Sequence, residues 1–472
     1  MLTTAAFAFS PPAKDAATTP AKDAVTAPCC AGACSDGKNK YFSVDVKHGF
    51  CGETCMHDHS CPIFKIFESN LTKAVGTDSP CKDQFTPVGT HYTVYNGTVT
   101  HGVPPLTVTL DLYAPGPKEI KKKTTWRHLQ ARGYDLSFAE YCAEYGKDYA
   151  KEEAPRREGI FRAEMAKIMA HNEAEHSWKM GLSVHTDKTE EEWHMLKGLN
   201  RAQRFAAAAT PPALTAAAAG TPTPPPPSLD WRTKGVVTPV KDQGGCGSCW
   251  AFSATETVES ALAMSGGPLL ELAPQQLVSC APNPDECGGT GGCAGSTQPL
   301  AFDYLVSAGG MEASAAYPYT ASDGTCKTKK GKFVAGITGH VDLPTNNYSA
   351  LMEAVATVGP IAISVDASWG GYEEGVYTGG CGTTIDHAVQ LVGYGEEGGA
   401  LYYLVRNSWG TTWGEDGYIK IQRFGEGKEP CGTDTQPADG FGCEGGASSI
   451  QVCGLCGILS GSSYPTGAYV PK

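Results

Sequence analysis

The sequence predicts an α+β protein built from more than one domain. A chain of 472 residues exceeds the size of one ordinary domain, so about two to four units are expected. A helical pattern of apolar residues begins at Cys249, whereas strand-like apolar runs occupy residues 389–392 and 401–405. Residues 205–227 form an Ala/Pro-rich linker, which is the clearest boundary in the chain. The remainder, about 228–472, is large enough for a two-lobed unit with its own core.

The composition limits the compartment and the partners of the chain. A net charge of −13 argues against a nucleic-acid or acidic-membrane partner, and no apolar run approaches the ~18 residues of a membrane-spanning helix. Nineteen cysteines and the sequons at Asn70, Asn96 and Asn347 indicate a glycoprotein on the secretory route, in a lysosome, a vacuole or the extracellular space. The weakly apolar residues 1–10 contain no basic n-region and only a short apolar stretch, so a signal peptide is not clear.

Two regions precede the helical part of the chain. Residues 1–28 are low in complexity and are predicted to be a disordered spacer or a residual targeting segment. Residues 29–115 carry seven cysteines and strand-like alternation around 92–95 and 106–110, which predicts a Cys-rich β module of unknown function. Disulfides are favoured over zinc for its cysteines and histidines, because no second ligand pair follows at zinc-finger spacing.

Residues 125–200 have a helical pattern. Three aromatic residues, Phe138, Tyr141 and Tyr145, lie on one face before a break at Gly146. A second set keeps to one side of the next helix: Glu153, Arg157, Phe161, Glu164, Ile168 and Asn172. From these spacings alone the segment is an amphipathic helical domain.

The chemistry is concentrated in the segment Gln243–Ser253, which reads QGGCGSCWAFS. Cys249 opens the helical pattern there, and a thiol at a helix N-terminus favours its thiolate form, which is the nucleophile. His387 and Asn407 follow downstream, on either side of two strand-like runs joined by Gly398-Gly399. A hairpin at these glycines would bring the imidazole and the amide together.

From about residue 228 onward the chain resembles the papain and cathepsin L enzymes, with QGGCGSCWAFS, DHAV and NSWG in order. The resemblance implies a helical lobe and a β-barrel-like lobe with the active site in the cleft between them. It implies that Cys249 is the nucleophile and His387 the general base and then acid. Asn407 would orient the imidazole, and Gln243 would donate to the oxyanion together with the backbone N–H of Cys249.

The same resemblance assigns residues that would contact substrate. Trp413 would shape the leaving-group side, and Gly295 and Ser296 would form the strand along which the substrate lies. Gly461 would lie at the base of the pocket for the second residue before the cut, where a glycine leaves room for hydrophobic side chains. Asp386, in the same motif as His387, is also predicted to contact substrate. Trp409 would shield the hydrogen bond between His387 and Asn407.

The family pattern also implies disulfides in this part of the chain. The implied pairs are Cys246 with Cys293, Cys280 with Cys326, and Cys381 with Cys456. The partners of the four remaining cysteines are left open: Cys287, Cys431, Cys443 and Cys453.

Residues 125–200 resemble the inhibitory propeptides of cathepsin L-type enzymes, through the helical set that begins at Glu153. The short motif that usually follows is reduced here to Gly181, Ser183, His185 and Asp187. Together the resemblances imply a self-inhibited zymogen of a cysteine endopeptidase, with protein or peptide substrates, its own propeptide as inhibitor, and no cofactor or metal. A monomer is expected. The alternatives are an exopeptidase whose cleft is blocked by the module at 29–115, and a binding protein without catalysis.

Overall fold

The computed structural model describes part of the chain residue by residue. The described residues are 42–46, 86–87, 93–99, 106–112, 124–198, 225–328 and 331–471. The spacer at 1–28, the cysteines of the predicted module and most of the linker at 205–227 lie outside them. The chain divides into two compact units, Met1–Glu119 and Ile120–Lys472.

The first unit contains one antiparallel sheet of four strands. The strands are β1 (Phe42–Val46), β2 (Thr86–Pro87), β3 (Thr93–Val99) and β4 (Leu106–Leu112). Their order in the sheet is β1-β4-β3-β2, with β3 and β4 paired from Thr93 opposite Leu112 to Val99 opposite Leu106. The alternation noted in the sequence at 106–110 therefore lies within β4.

The second unit begins with a helical segment, residues 124–198, called here the pro-segment. Its elements are α1 (Trp126–Ala131), α2 (Phe138–Tyr145), α3 (Ala154–Glu173), β5 (Trp178–Met180) and α4 (Glu190–Leu196). Ser137 and Glu140 form a capping box at the start of α2, and Gly146 ends that helix in the left-handed conformation. The aromatic face of α2 packs against Phe161 of α3, as its spacing predicts.

Pro155 is accommodated in the first turn of α3. The helix begins at Ala154, with Glu153 as its N-cap residue. A proline is tolerated there because its missing N–H would have no partner within the helix in any case. At the other end of α3 the side chain of Asn172 donates to the carbonyl of Met180 and accepts from its N–H, at 2.7 and 2.9 Å, which ties β5 to the helix.

The rest of the unit forms a helical lobe and a β lobe. The helices are α5 (Cys249–Met264), α6 (Pro274–Cys280), α7 (Gln298–Ala308) and α8 (Tyr348–Thr357). The first strands are β6 (Leu229–Asp230), β7 (Gly339–Asp342), β8 (Ile361–Val365), β9 (Tyr372–Tyr377) and β10 (His387–Glu397). The last are β11 (Ala400–Arg406), β12 (Tyr418–Gln422), β13 (Cys431–Asp434), β14 (Ile450–Cys453) and β15 (Gly461–Thr466).

Nine strands form the main sheet, in the order β5-β9-β12-β11-β10-β8-β15-β7, with β6 also paired to β10. The pro-segment contributes β5, which pairs antiparallel with β9. Helix α5 is buried along nearly its whole length between this sheet and the other helices. The hydroxyl of Ser253 donates to the carbonyl of Val389 at 2.7 Å, so the first turn of α5 is fixed beside the start of β10.

Strands β10 and β11 form the predicted hairpin. Gly398 and Gly399 make the connection with φ angles of 59° and 82°, and Glu397 pairs with Ala400. Two successive left-handed residues match the twist of a two-residue hairpin, which is why glycines are favoured there. Within the described part of the chain, no helix is both long and apolar enough to cross a bilayer.

Candidate active site

Cys249 is the first residue of α5 and is 1% exposed. Burial raises the pKa of its thiol to about 12, and hydrogen bonds from backbone N–H groups oppose that rise without cancelling it. The thiolate expected for an exposed cysteine at a helix N-terminus is therefore disfavoured in this state. The pro-segment contributes to that burial, since its Gly198 lies beside the sulfur.

His387 and Asn407 meet at the start of β10 and the end of β11. The ring Nε2 of His387 lies 2.8 Å from Oδ1 of Asn407, and the backbone N–H of Ser408 donates to the same oxygen at 2.8 Å. Oδ1 of Asn407 can only accept hydrogen bonds, and it accepts from both Ser408 and the histidine. Nε2 of His387 therefore carries the hydrogen. Nδ1 is left as a buried lone pair without a hydrogen-bond partner among the described residues.

Burial keeps the imidazole neutral. It lowers the pKa of His387 to about 3, against the opposing hydrogen bond to Asn407. The indole of Trp409 is fully buried and lies 4.8 Å from the imidazole, between ring centroids. Trp413 packs edge-on against Trp409, and its Nε1 donates to the carbonyl of Gly370 at 3.0 Å.

The amide of Gln243 is fixed by Ser408, the residue that follows Asn407. Its Oε1 accepts from the hydroxyl of Ser408 at 2.6 Å, which fixes the orientation of the amide. The Nε2 of that amide donates to the carbonyl of Cys246 at 3.0 Å and to the carbonyl of Leu196 at 2.7 Å. Because Leu196 is the last residue of α4, the amide that would serve an oxyanion is occupied by the pro-segment.

Backbone of the pro-segment also lies over the sulfur. A Cβ atom built on Gly198 would be 3.8 Å from Sγ of Cys249 and 3.6 Å from Cα of Gly295. A Cβ on Gly247 would approach Gly198 Cα and the carbonyl oxygen of Met195 to 2.8 Å each. This spacing leaves no room for a side chain at Gly247, so the close approach depends on that glycine.

Asp386, which precedes the histidine, is bound to the pro-segment as well. Nζ of Lys197 lies 3.1 Å from its Oδ2, and its Oδ1 accepts from the N–H of Ala367 at 3.0 Å. Burial raises the pKa of Asp386 to about 6, more than Lys197 lowers it. In this state the carboxylate holds the pro-segment.

The short motif of the pro-segment has clear structural roles. A Cβ on Gly181 would fall 1.5 Å from Oε2 of Glu373, so a larger residue there would require the side chain of Glu373, on β9, to move. Asp187 is fully buried and accepts from Lys147 and from the hydroxyls of Tyr141 and Tyr149, at 2.5, 3.0 and 2.6 Å. These bonds hold the turn that leads into α4.

His185, from the same motif of the pro-segment, contacts the β lobe. Its Nε2 is 3.2 Å from the carbonyl oxygen of Trp409, and burial lowers its pKa to about 3. The indole of Trp193, on α4, packs edge-on against Trp409 at 5.3 Å between ring centroids. The pro-segment therefore docks directly on the tryptophan that covers the histidine.

The remaining residues predicted to contact substrate lie on both lobes. Gly295 faces Gly198 of the pro-segment, and Ser296 is 1% exposed, with a hydroxyl that has no partner among the described residues. Gly461 pairs with Ser364 across β15 and β8, and a Cβ there would make only ordinary contacts of 3.4 Å with Ser364. The position can therefore take a small side chain.

Sequence reasoning missed the residues that occupy the cleft, Leu196, Lys197 and Gly198. The signal that was available is the capping box of Thr189 and Glu192, which starts α4. The capping box predicts the helix. It does not predict the contact between Leu196 and Gln243, because these two residues are 47 positions apart in the sequence.

The structure pairs ten cysteines of the lobes. The bonds are Cys246–Cys293, Cys280–Cys326, Cys381–Cys456, Cys287–Cys443 and Cys431–Cys453. The first three are the pairs implied by the family pattern, and the last two settle the open partners. Among the described residues, Cys249 and Cys142 are free thiols.

Comparison with known proteins agrees with this arrangement. A family model described as "Papain family cysteine protease" matches residues 225–441, and one described as "Cathepsin propeptide inhibitor domain (I29)" matches residues 138–193. "Senescence-specific cysteine protease SAG39" of Oryza sativa subsp. japonica is 37% identical over 304 residues, covering 63% of this chain and 87% of the relative. "Cysteine proteinase EP-B 1" of Hordeum vulgare is 38% identical, covering 67% and 80%.

Solved structures of related proforms match the same region. Digestive procathepsin L 3 of Tenebrio molitor superposes with a TM-score of 0.56 at 29% identity, over 73% of this chain and all of that one. The recombinant stem bromelain precursor gives 0.54 at 35% identity, over 70% and 97%. His387 and Asn407 are hydrogen-bonded, and the thiol of Cys249 lies at the backbone N–H of Ala388, beside Gly198 of the pro-segment, in a fold shared with these proforms. The chain belongs to the papain family of cysteine proteases and is the zymogen form, with an inhibitory propeptide domain.

Proposed function

We propose that the processed protein is an endopeptidase that cuts peptide bonds through a thioester on Cys249. The thiol of Cys249 gives its proton to Nδ1 of His387, and the sulfur attacks the carbonyl carbon of the substrate. The proton then passes to the leaving amine as the peptide C–N bond breaks. In the second half, a water molecule gives a proton to the imidazole and its oxygen attacks the thioester, which releases the acid and restores the thiol.

Asn407 and Gln243 serve this reaction from fixed positions. Asn407 holds Nε2–H of the histidine and thereby leaves the Nδ1 lone pair to take the thiol proton. Gln243 is held by Ser408, so its amide donates toward the carbonyl that becomes an oxyanion. The observation that carries the proposal is that Nε2 of Gln243 already binds a carbonyl of the chain, that of Leu196, beside the buried thiol.

The same contact explains how the zymogen stays inactive. The end of α4 occupies the oxyanion donor with Leu196, binds Asp386 with Lys197 and covers the sulfur with Gly198. A substrate cannot reach any of these groups until the pro-segment leaves. The pro-segment is thus an intramolecular inhibitor, and it is removed with the residues up to about 227. The processed enzyme acts as a monomer.

The route of the protein through the cell is part of the proposal. Five disulfides among the described residues favour an oxidising compartment, which is a lysosome, a vacuole or the extracellular space. Asn347 is exposed at the N-terminus of α8 and is open to glycosylation there.

Terminally blocked peptides and intact proteins test the endopeptidase assignment. The processed enzyme is expected to cut internal bonds of peptides whose amino and carboxyl termini are both blocked, and mass spectrometry of the products locates each cut. Release of dipeptides from free amino termini, with blocked peptides left intact, would instead identify an exopeptidase. Labelling by an epoxide inhibitor that is specific for active thiols separates both from a binding protein without catalysis.

The pocket at Gly461 predicts the preference for the second residue before the cut. A glycine on β15 offers no charge, so Leu or Phe is expected to exceed Arg by at least about tenfold in kcat/KM, because an unpaired cation is costly to bury. A library of peptides that varies this residue alone measures the ratio. In Gly461→Glu the carboxylate should reverse the order in favour of Arg, whereas Gly461→Ala should leave Arg disfavoured. A wild-type profile led by Arg contradicts the assignment.

An ion pair within the pro-segment predicts how its stability depends on pH. Two nitrogens of Arg157 bind Glu192 at 2.5 and 2.8 Å, and this interaction lowers the pKa of the carboxyl to about 2 from an ordinary value of 4.5. A carboxyl with a lowered pKa stabilises the folded form fully above its unfolded pKa, and that contribution disappears as the pH falls from about 4.5 toward 2. Because Glu192 is about one-third exposed, the contribution is on the order of 1 kcal/mol.

Glu192→Gln in a Cys249→Ala chain, which cannot process itself, isolates this pair. Glutamine keeps the capping box with Thr189 but removes the charge. We expect the first thermal transition at pH 7 to fall by about 2–4 °C and the difference to shrink as the pH approaches 2. The control is Glu158→Gln, which removes an exposed pair with Arg162 on α3. An equal effect of both variants, or one independent of pH, would contradict the role of Glu192.

A further inference from the structure

The segment between β13 and β14, residues 435–449, crosses from the β lobe to the helical lobe and is called here the strap. At its base β13 and β14 are paired, and Cys431 is bonded to Cys453. Near its tip Cys443 is bonded to Cys287, 156 residues away in the sequence and between α6 and α7. The match to the papain family model ends at residue 441, inside the strap. The strap is therefore covalently anchored in both lobes.

On the β lobe the strap rests on the wall beside the histidine. The N–H of Phe441 donates to the carbonyl of Ile385 at 2.9 Å, and a Cβ on Gly440 would lie 2.2 Å from the same oxygen. Ile385 is buried and directly precedes Asp386 and His387. The contact is backbone to backbone, so a side chain at Gly440 would push the strap off this wall.

On the helical lobe the strap meets the residue next to Gly295. The N–H of Gly288 donates to the carbonyl of Gly442 at 3.2 Å. A Cβ on Gly288 would lie 2.7 Å from the carbonyl oxygen of Ser296 and 2.8 Å from the ring of Phe441. Phe441 thus spans the gap, with its backbone on one wall and its ring on the other.

The position of Gly198 limits the distance between Gly295 and the reacting sulfur. Its Cβ position is 3.8 Å from Sγ of Cys249 and 3.6 Å from Cα of Gly295. An extended chain advances about 3.3–3.6 Å per residue. Sγ of Cys249 and Cα of Gly295 are therefore separated by no more than about two substrate residues. The strap meets Gly288, which lies beside the carbonyl of Ser296, the next residue after Gly295.

We propose that the strap closes the cleft on the N-terminal side of the cut. The second residue before the cut is then the last substrate residue on that side that contacts the enzyme. Earlier residues turn away into solvent. The inference rests on the proposed function and on the predicted role of Gly295 and Ser296 as the strand along which the substrate lies. The strap is a fixed wall, since Pro437 and Gly440 are buried and the Cys287–Cys443 bond holds its tip.

Peptides of increasing length test the strap. The enzyme is produced as the full chain, processed, and assayed on blocked fluorogenic peptides with two, three or four residues before the cut and the same two next to it. For the wild type, kcat/KM is expected to change less than about twofold across the series. Cys287→Ser with Cys443→Ser frees the tip, and each added residue should then raise kcat/KM about fivefold, as expected for one new backbone hydrogen bond.

The other disulfide of the strap provides the matched control. Cys431→Ser with Cys453→Ser removes a bond but leaves the tip attached to Cys287, so the flat profile of the wild type should persist. The Cys287–Cys443 bond is verified by mass spectrometry under the reducing conditions of the assay. If the freed variant does not fold, Phe441→Ala removes the ring that spans the gap and should restore part of the length dependence.

Each outcome decides between the strap as a wall and the strap as a simple clamp between lobes. A wild-type kcat/KM that rises with each added residue overturns the proposal, and so does a profile that stays flat after the tip is freed. Titration with the epoxide inhibitor normalises every preparation to active thiol. Absence of both titratable thiol and turnover would refute the proposed function, which is distinct from any change in the length profile.

Discussion

Replacing Cys249 with alanine is expected to reduce hydrolysis of peptide bonds by the processed protein by about five to six orders of magnitude. The loss is large because histidine, asparagine and glutamine have no reaction to assist without the sulfur that forms the thioester. The measurement is kcat/KM on a blocked fluorogenic peptide, with the pro-segment removed by an added protease since the variant cannot process itself.

Cys142→Ala is the matched control for that variant. Cys142 is the other free cysteine among the described residues, and it lies on α2 of the pro-segment. Its replacement should leave the activity of the processed protein unchanged. Full activity of Cys249→Ala would refute the assignment of the nucleophile, and an equal loss in both variants would point to misfolding rather than to chemistry.

Removal of the pro-segment is expected to raise the reactivity of Cys249 by at least about three orders of magnitude. With a pKa of about 12, only about one thiol in 10⁵ is ionised at pH 7, whereas an exposed cysteine with a pKa near 8.5 is ionised to a few per cent. The reactivity should rise because burial penalises the thiolate, and the departure of Gly198 exposes the sulfur. Alkylation by iodoacetamide, followed residue by residue by mass spectrometry, gives the two rates.

Cys142 supplies the internal reference for the alkylation. It is partly exposed in the zymogen, so it should be labelled there well before Cys249. The rate for Cys249 in the zymogen should also rise with pH, because a raised pKa leaves the thiol protonated through the neutral range. Equal labelling of Cys249 before and after processing would show that the pro-segment does not cover the thiol.

The sequence by itself determined the features that depend on neighbouring residues. The helix that starts at Cys249 follows from local apolar spacing, and the hairpin of β10 and β11 follows from Gly398-Gly399 between two apolar runs. The face of α2 around Tyr141 is likewise a matter of helical periodicity. These patterns reach only a few positions along the chain, so one sequence is enough to read them.

The tertiary structure decided what residues far apart do to one another. It placed the carbonyl of Leu196 on the amide of Gln243, which no local pattern indicates. It also reversed the expectation for Cys249 in the zymogen. The helix terminus favours the thiolate, but burial under the pro-segment costs more than the helix contributes and raises the pKa of the thiol instead.

The partners of Cys287 and Cys443 were open in the sequence for the same reason. Pairing depends on which cysteines the folded chain brings within bonding distance, and these two are 156 residues apart. Only the fold shows that their bond fastens the segment between β13 and β14 to the helical lobe. The α+β class thus follows from local patterns, whereas the two lobes and the site residues were predicted from motifs that the chain shares with a family. Occlusion of the site and the reach of its cleft arise only from packing.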